Sequence, residues 1–246
     1  MAWKDGKRWV YSITYDEGCA GLLDHALAVH REYEIPGHVC LLASQIGVAR
    51  DVPGSSYDGM MILSKAQIHD LYKEGWGASC HSMTHAAIVD ANAQVEVVES
   101  RHVLAEALDL PISLFCVPGS NEGYSASLAV AGDAGYDGIM TIYDDINRWD
   151  VDLMRLCRCP VHTEYPPPFY SRFDPYKRIH QAIDAGGWII DYAHCPMPGK
   201  AIHPWKDCTI DELAQRFEAV RRVGGDDVWL SEPNEVVEYV LSERGS

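Results

Sequence analysis

The residues best suited to chemistry are two adjacent carboxylates, Asp16 and Glu17 in "TYDEG", two histidines four apart, His81 and His85 in "HSMTH", and His194, which closes "WIIDYAH". One carboxylate and two imidazoles form a facial donor set that holds a divalent ion and leaves positions open for water and substrate. His81 and His85 can face one point if their segment makes a helical turn, because residues four apart share a helix face. Each feature also has a plainer reading. An acidic pair at a strand end caps the next helix, histidines on one turn are often surface or satisfied core residues, and His194 is equally a buried histidine bonded to a carbonyl. Their joint placement at strand ends is what favours a site.

That placement follows from the order of the segments. Apolar runs at 8–15, 37–43, 75–81, 112–118, 136–143, 153–161, 187–194 and 227–231 have the length and turn-rich borders of strands. Between them lie stretches with helical spacing of apolar positions, from "AGLLDHALAVHREYE" to "NEVVEYVLSER". A β segment followed by an α segment, repeated about seven times with no low-complexity linker, predicts a parallel α/β barrel and one domain over residues 1–246. In such folds chemistry gathers at the carboxyl ends of the strands. The polar residues expected there are Asp16 and Glu17, His81 and His85, Asp145 and Trp149, and His194.

Composition narrows the function. With 36 acidic and 20 basic residues among 246, the formal charge is −16, spread along the chain as a solvated acidic surface. Nucleic acid and anionic membrane are therefore not expected partners. No apolar window reaches the roughly 18 to 20 residues of a membrane span, and "MAWKDGKRW" has no secretory core. The eight cysteines form no CxxC pair and fall mostly in apolar runs, which predicts reduced, buried thiols and a cytoplasmic protein. Cys157 and Cys159 in "LCRCPV" share one strand face and read as core packing. "HTEYPPPFYSRFDPY", with three consecutive prolines among aromatics, predicts a stiff, exposed loop that either caps the barrel or offers aromatics to a sugar.

These motifs resemble those of the polysaccharide deacetylases, the NodB-like carbohydrate esterase family 4, over about residues 9 to 240. "TYDEG" is similar to the family's TFDDG and "HSMTH" to its HSxxH, while "WIIDYAH" and "DVWLSEPNEVVEYV" resemble its last motif and its terminal strand and helix. The resemblance implies a distorted (β/α)7 barrel, in agreement with the segment count. It further implies that Asp16 is the general base, that Glu17, His81 and His85 hold one divalent metal ion, and that His194 is the general acid. The ion is expected to be zinc, with cobalt, nickel or manganese as alternatives. A backbone N–H near Gly119 would face the oxyanion.

The departures from the family pattern matter as much. Glu17 stands where the family has Asp, which keeps the charge and adds a methylene. The third motif, normally Arg-Pro-aromatic-Gly, reads "FCVPGS", with Cys116 in place of the Arg that orients the base. "YDDINRWD" resembles the fourth motif. By that resemblance Asp145 would tune His194, Trp149 would wall the acyl pocket, and Arg148 would supply the cation missing at position 116. Solvent exposure for Arg148 and core packing for Trp149 are the competing readings.

Three functions fit the sequence. The first is a metal-dependent hydrolase that removes N- or O-acetyl groups from a carbohydrate. The second is a small-amide hydrolase of the allantoinase or cyclic imidase kind on the same fold. The third is a sugar-binding module that kept its metal set and lost turnover with the missing Arg. The sequence leaves the oligomeric state open.

Overall fold

A computed structural model describes residues 3–164 and 172–245. Pro166, Pro167, Pro168 and Phe169, at the centre of the expected stiff loop, lie outside the described residues. Alternation along "WVYSITYDE" decides the layering. Strand β1 (Trp9–Glu17) is buried along its whole length. Trp9, Tyr11, Ile13 and Tyr15 join a cluster shared with the helices. Val10 joins Cys40, Leu114, Cys116, Met140, Trp188 and Ile190 in a second cluster that fills the barrel. This double burial is typical of a strand in a parallel sheet covered by helices. The inner face also carries Ser12 and Thr14. Ser12 donates to the Ser231 carbonyl at 2.7 Å and accepts from the Trp188 indole at 2.9 Å, and Thr14 donates to the Asp191 carbonyl at 3.1 Å. Asp16 ends this inner column.

Strands β2 (His38–Leu41), β3 (Gly77–Cys80), β4 (Leu114–Cys116), β5 (Gly138–Met140), β6 (Cys159–Pro160) and β7 (Trp188–Ala193) pair with β1 in the order β5-β4-β3-β2-β1-β7-β6, and β8 (Val228–Leu230) also pairs with β1. All of these pairings are parallel. The gap between β5 and β6 is narrowed by a parallel bridge from Met140 to Leu156. This is the expected distorted (β/α)7 barrel, with each predicted apolar run contributing a strand shorter than, or offset from, its pattern.

The helices are α1 (Gly21–His25), α2 (Leu27–Tyr33), α3 (Lys65–Lys73), α4 (Ser100–Leu108), α5 (Tyr124–Ala131), α6 (Ile179–Ala185), α7 (Ile210–Gly224) and α8 (Pro233–Arg244). Ser64 with Gln67 and Thr209 with Glu212 close capping boxes on α3 and α7, and Glu232 caps α8 ahead of Pro233. The first predicted helix divides at Ala26. A π-helical stretch, Gln94–Glu99, runs directly into α4. All eight cysteines are free thiols, seven of them buried and Cys157 half-buried. Among the described residues no helix is long and apolar enough to cross a membrane.

Candidate active site

Glu17 has a φ of 75°. An extended residue following the inward Asp16 would point toward the helices, and this left-handed turn instead keeps Glu17 at the mouth of the barrel. Gly18 continues the turn with φ of 70°, and a Cβ there would stand 2.4 Å from Leu41 Cδ2, so any other residue would be strained and would displace the Leu41 side chain. Backbone departures of this kind collect at functional sites. Ser82 and His85, with φ of 80° and 69°, are two more.

The "HSMTH" segment is a tight loop and not the helical turn that its spacing suggested. Ser82 Oγ accepts the His85 backbone N–H at 3.0 Å. Glu96, in the π-helical stretch, accepts the N–H groups of Met83 and Thr84 at 3.1 and 3.0 Å and the Thr84 hydroxyl at 2.7 Å. The loop still brings the imidazoles together, with ring centroids 5.1 Å apart. His85 Nε2 lies 3.3 Å from Glu17 Oε1. His81 Nδ1 faces the Cys116 carbonyl at 3.0 Å, so that nitrogen carries the proton and Nε2 is left as a lone-pair donor. Burial lowers the His81 pKa to about 4 and lowers that of His85 as well, keeping both neutral and able to ligate.

One oxygen of Glu17 and one nitrogen each of His81 and His85 all lie within 4.8 Å of one another. This carboxylate–imidazole set fits a divalent ion. A second grouping, Asp16 with His81 and Cys116, is equally close. It is the poorer set, because burial pushes the Cys116 thiol well above its ordinary range and both Asp16 oxygens are engaged elsewhere.

Their partner is Arg158, which the sequence reading overlooked. Its Nη1 donates to Asp16 Oδ1 at 2.6 Å and its Nη2 to Oδ2 at 3.1 Å, while Nε and Nη1 also reach the Thr141 carbonyl and the Thr14 hydroxyl, both at 3.0 Å. Burial alone would raise the Asp16 pKa. The Arg158 charge and hydrogen bonds, together with the neighbouring His81 and His194, outweigh burial and hold the carboxyl far below the ordinary range. Cys116 stands beside the same carboxylate, Sγ to Oδ1 at 3.5 Å. The cation missing at position 116 is thus supplied by Arg158, the residue just before β6, and not by Arg148, which is exposed.

Asp145 and Trp149 also lie away from the site. Asp145 is exposed and pairs with Arg178 at 3.4 Å. Trp149 packs edge-on against Trp3 at 4.9 Å and Tyr239 at 6.1 Å. The reason is the path after β5: Asn147 bridges Trp188, the first residue of β7, so the chain has run from the mouth to the opposite end of the barrel.

His194 is half-buried, bonded to a carbonyl on one side and open to the cavity on the other. Nδ1 faces the Lys206 carbonyl at 2.8 Å, which fixes the proton there, and the ring stacks on Tyr57 at 4.8 Å and 8°. Behind it Asp207 accepts the N–H groups of Cys195 at 2.6 Å and Cys208 at 2.9 Å, and burial raises its pKa to about 6. Asp16, Glu17, His81, His85, Gly119 and His194 all line one cavity of about 720 Å³. Tyr57, His162, Tyr192 and Trp205 line it too and were not anticipated.

Fold and cavity together define an α/β barrel that opens at the carboxyl ends of its strands. The polysaccharide deacetylase family model matches residues 4–139, more than half of the chain, and the chain belongs to that family. Hydrolytic deacetylation of carbohydrate is the activity that this membership supports. Arg158 and His194 lie beyond the matched segment.

Among solved structures, a Mycobacterium smegmatis protein provisionally named a polysaccharide deacetylase is 14% identical, with a TM-score of 0.63 over 99% of this chain and 94% of that one. A family 4 acetyl xylan esterase from Clostridium thermocellum, solved in complex with a cobalt ion, is 13% identical, with a TM-score of 0.53 over 93% and 90% of the two chains. The Xyl-CE4 domain of a multidomain xylanase from the hindgut metagenome of Trinervitermes trinervoides is 14% identical, with a TM-score of 0.53 over 96% and 91%. At these identities the likeness is one of fold. No curated protein matches the chain.

Proposed function

We propose that the chain is a single-domain, metal-dependent deacetylase that removes N- or O-acetyl groups from a carbohydrate. Asp16 is its general base, His194 its general acid, and Glu17, His81 and His85 the ligands of one divalent ion, zinc in the first instance. The observation that carries this reading is the buried Arg158–Asp16 pair standing beside the Glu17–His81–His85 set at one cavity. When bound, the ion would supply Lewis acidity, polarising the acyl oxygen and acidifying the attacking water.

The chain's own groups supply the remaining chemistry. Asp16, ionised and fixed by two bonds from Arg158, keeps a free lone pair on Oδ2, the oxygen that Cys116 does not approach, to accept the proton of the attacking water. The backbone N–H near Gly119 is offered to the developing oxyanion; Gly119 has φ of 71°, and no atom lies within 4 Å of where a Cβ would stand. His194, its Nδ1–H held by the Lys206 carbonyl, turns Nε2 to the cavity; as the imidazolium it gives the Nε2 proton to the leaving nitrogen or alkoxide and returns to the neutral Nδ1–H form.

The impaired-module reading rested on the Arg absent at position 116, and Arg158 supplies that cation. Trp205 supports a carbohydrate over a small amide: it is 53% exposed at the cavity rim, and its indole N–H is held by Glu164 at 2.9 Å. An indole face presented to solvent suits a pyranose ring. The test is acetate release from acetylated chitooligosaccharide and acetylated xylan by zinc-loaded protein, with hydantoin-type cyclic amides alongside. Acetate release that a chelator abolishes supports the proposal, and ring opening without acetate release overturns it.

A further inference from the structure

Glu17 has a second partner that the metal set does not explain. Arg50 is 1% exposed, and its Nε donates to Glu17 Oε2, the carboxylate oxygen other than the one facing His85. Its Nη1 and Nη2 have no hydrogen-bond partner among the described residues, and Glu17 is its one carboxylate partner among them. The guanidinium charge is therefore spent on a single oxygen. A buried cation with two idle donors is costly to keep unless it serves something.

The backbone locks this placement. The Arg50 N–H donates to the Met60 carbonyl at 2.7 Å and its carbonyl accepts from Gly59 at 2.8 Å, while Ala49 bridges Met61. The returning strand of this hairpin is tied to the turn that follows Glu17: Ala20 N–H donates to the Met61 carbonyl at 2.8 Å and Leu63 N–H to the Gly18 carbonyl at 2.9 Å. Arg50 and Glu17 are carried on one hydrogen-bonded unit.

We infer that Arg50 is a positioning residue that holds Glu17 as a one-oxygen ligand and tempers the affinity of the site for its ion. With Oε2 taken by Arg50, only Oε1 is turned to the imidazoles. The Arg50 charge offsets the one anionic ligand and repels a cation bound beside it. A carboxylate serving Arg50 and an ion at once needs reach, and this accounts for Glu17 where the family has the shorter Asp. The device trades affinity for an ion that keeps more of its positive charge.

This inference rests on Glu17, His81 and His85 being the ligand set, and its test reads binding, not turnover. Zinc affinity of the purified full chain is measured by competition with a chromophoric chelator, together with the rise in unfolding temperature on adding zinc. Arg50→Met, and the polar Arg50→Gln should the first fail to fold, are expected to bind zinc about tenfold or more tightly than the parent and to show a larger thermal rise. Arg50→Lys, which keeps the charge, should stay within about threefold of the parent. A folded Arg50→Met or Arg50→Gln that binds zinc no more tightly than the parent overturns the inference. A parent chain that binds no zinc overturns the ligand set itself.

Discussion

Arg158 grips both oxygens of Asp16 inside the barrel, Nη1 to Oδ1 at 2.6 Å and Nη2 to Oδ2 at 3.1 Å, although the two residues lie 142 positions apart. A planar guanidinium matches a carboxylate at two points. The pair keeps a buried acid ionised and aims it, as the proposed role of Asp16 as general base requires.

Arg158→Gln leaves Asp16 buried without its cation. Its carboxyl then rises in pKa, so the acid limb of the rate profile moves to higher pH, and turnover near neutrality falls by at least about 100-fold. Because Cys116 Sγ lies 3.5 Å from the same carboxylate, Cys116→Arg in the Arg158→Gln background should recover part of the loss. Rates from pH 5 to 9 for the parent and both variants check this; an unmoved acid limb in Arg158→Gln would refute it.

His194→Ala removes the proposed proton donor and should lower turnover about 10² to 10⁴-fold. The loss should be smaller on an activated aryl acetate, whose leaving group needs no proton. Tyr57→Phe keeps the stacked ring and should retain activity, whereas Tyr57→Leu removes the face against which His194 lies. Equal losses on the activated and unactivated substrates would count against His194 as the acid.

Trp205→Ala should raise KM for acetylated oligosaccharides about three- to tenfold, with kcat nearly unchanged, as the loss of one aromatic face on a sugar predicts. A minimal acetyl ester too short to reach the rim should show no change. A fall in kcat with KM constant would place Trp205 in the chemistry and not in binding.

Stability should carry a histidine signature away from the site. His30 is buried, with Tyr15 Oη at 2.7 Å from Nε2 and the Ile35 carbonyl at 2.7 Å from Nδ1, and burial lowers its pKa from 6.5 to about 4. The unfolded chain therefore binds this proton first. The contribution of neutral His30 is complete above pH 6.5 and is lost as pH falls from there toward 4, on the order of 3 kcal/mol in all. Urea midpoints at pH 7 and pH 4.5 for the metal-free parent and His30→Gln should show a smaller acid loss in the variant; equal losses would rule His30 out.

The barrel and the local half of the site were legible because both are written in short-range patterns. The apolar runs gave every strand, and Asp16, Glu17, His81, His85 and His194 meet at one cavity because each sits at or just beyond a strand's carboxyl end. The partners of those groups were not legible, since Arg158 and Arg50 reach them across the barrel or from a hairpin. One signal was nevertheless present. The alternation in "LCRCPV" puts Cys157 and Cys159 on one face, so Arg158 between them points the other way, and a charged residue inside a barrel needs a carboxylate. Asp145, Arg148 and Trp149 were misplaced because motif spacing says nothing of where a loop turns back, and here Asn147 carries it down to Trp188.

The most direct test compares the parent with Asp16→Asn, both loaded with zinc, on an acetylated chitooligosaccharide, measuring released acetate and bound zinc in the same samples. One zinc per chain is expected in both, with acetate release by the parent and a loss of at least about 100-fold in the variant. Undiminished release by Asp16→Asn, or no release of acetate by a zinc-loaded parent, would contradict the proposed function.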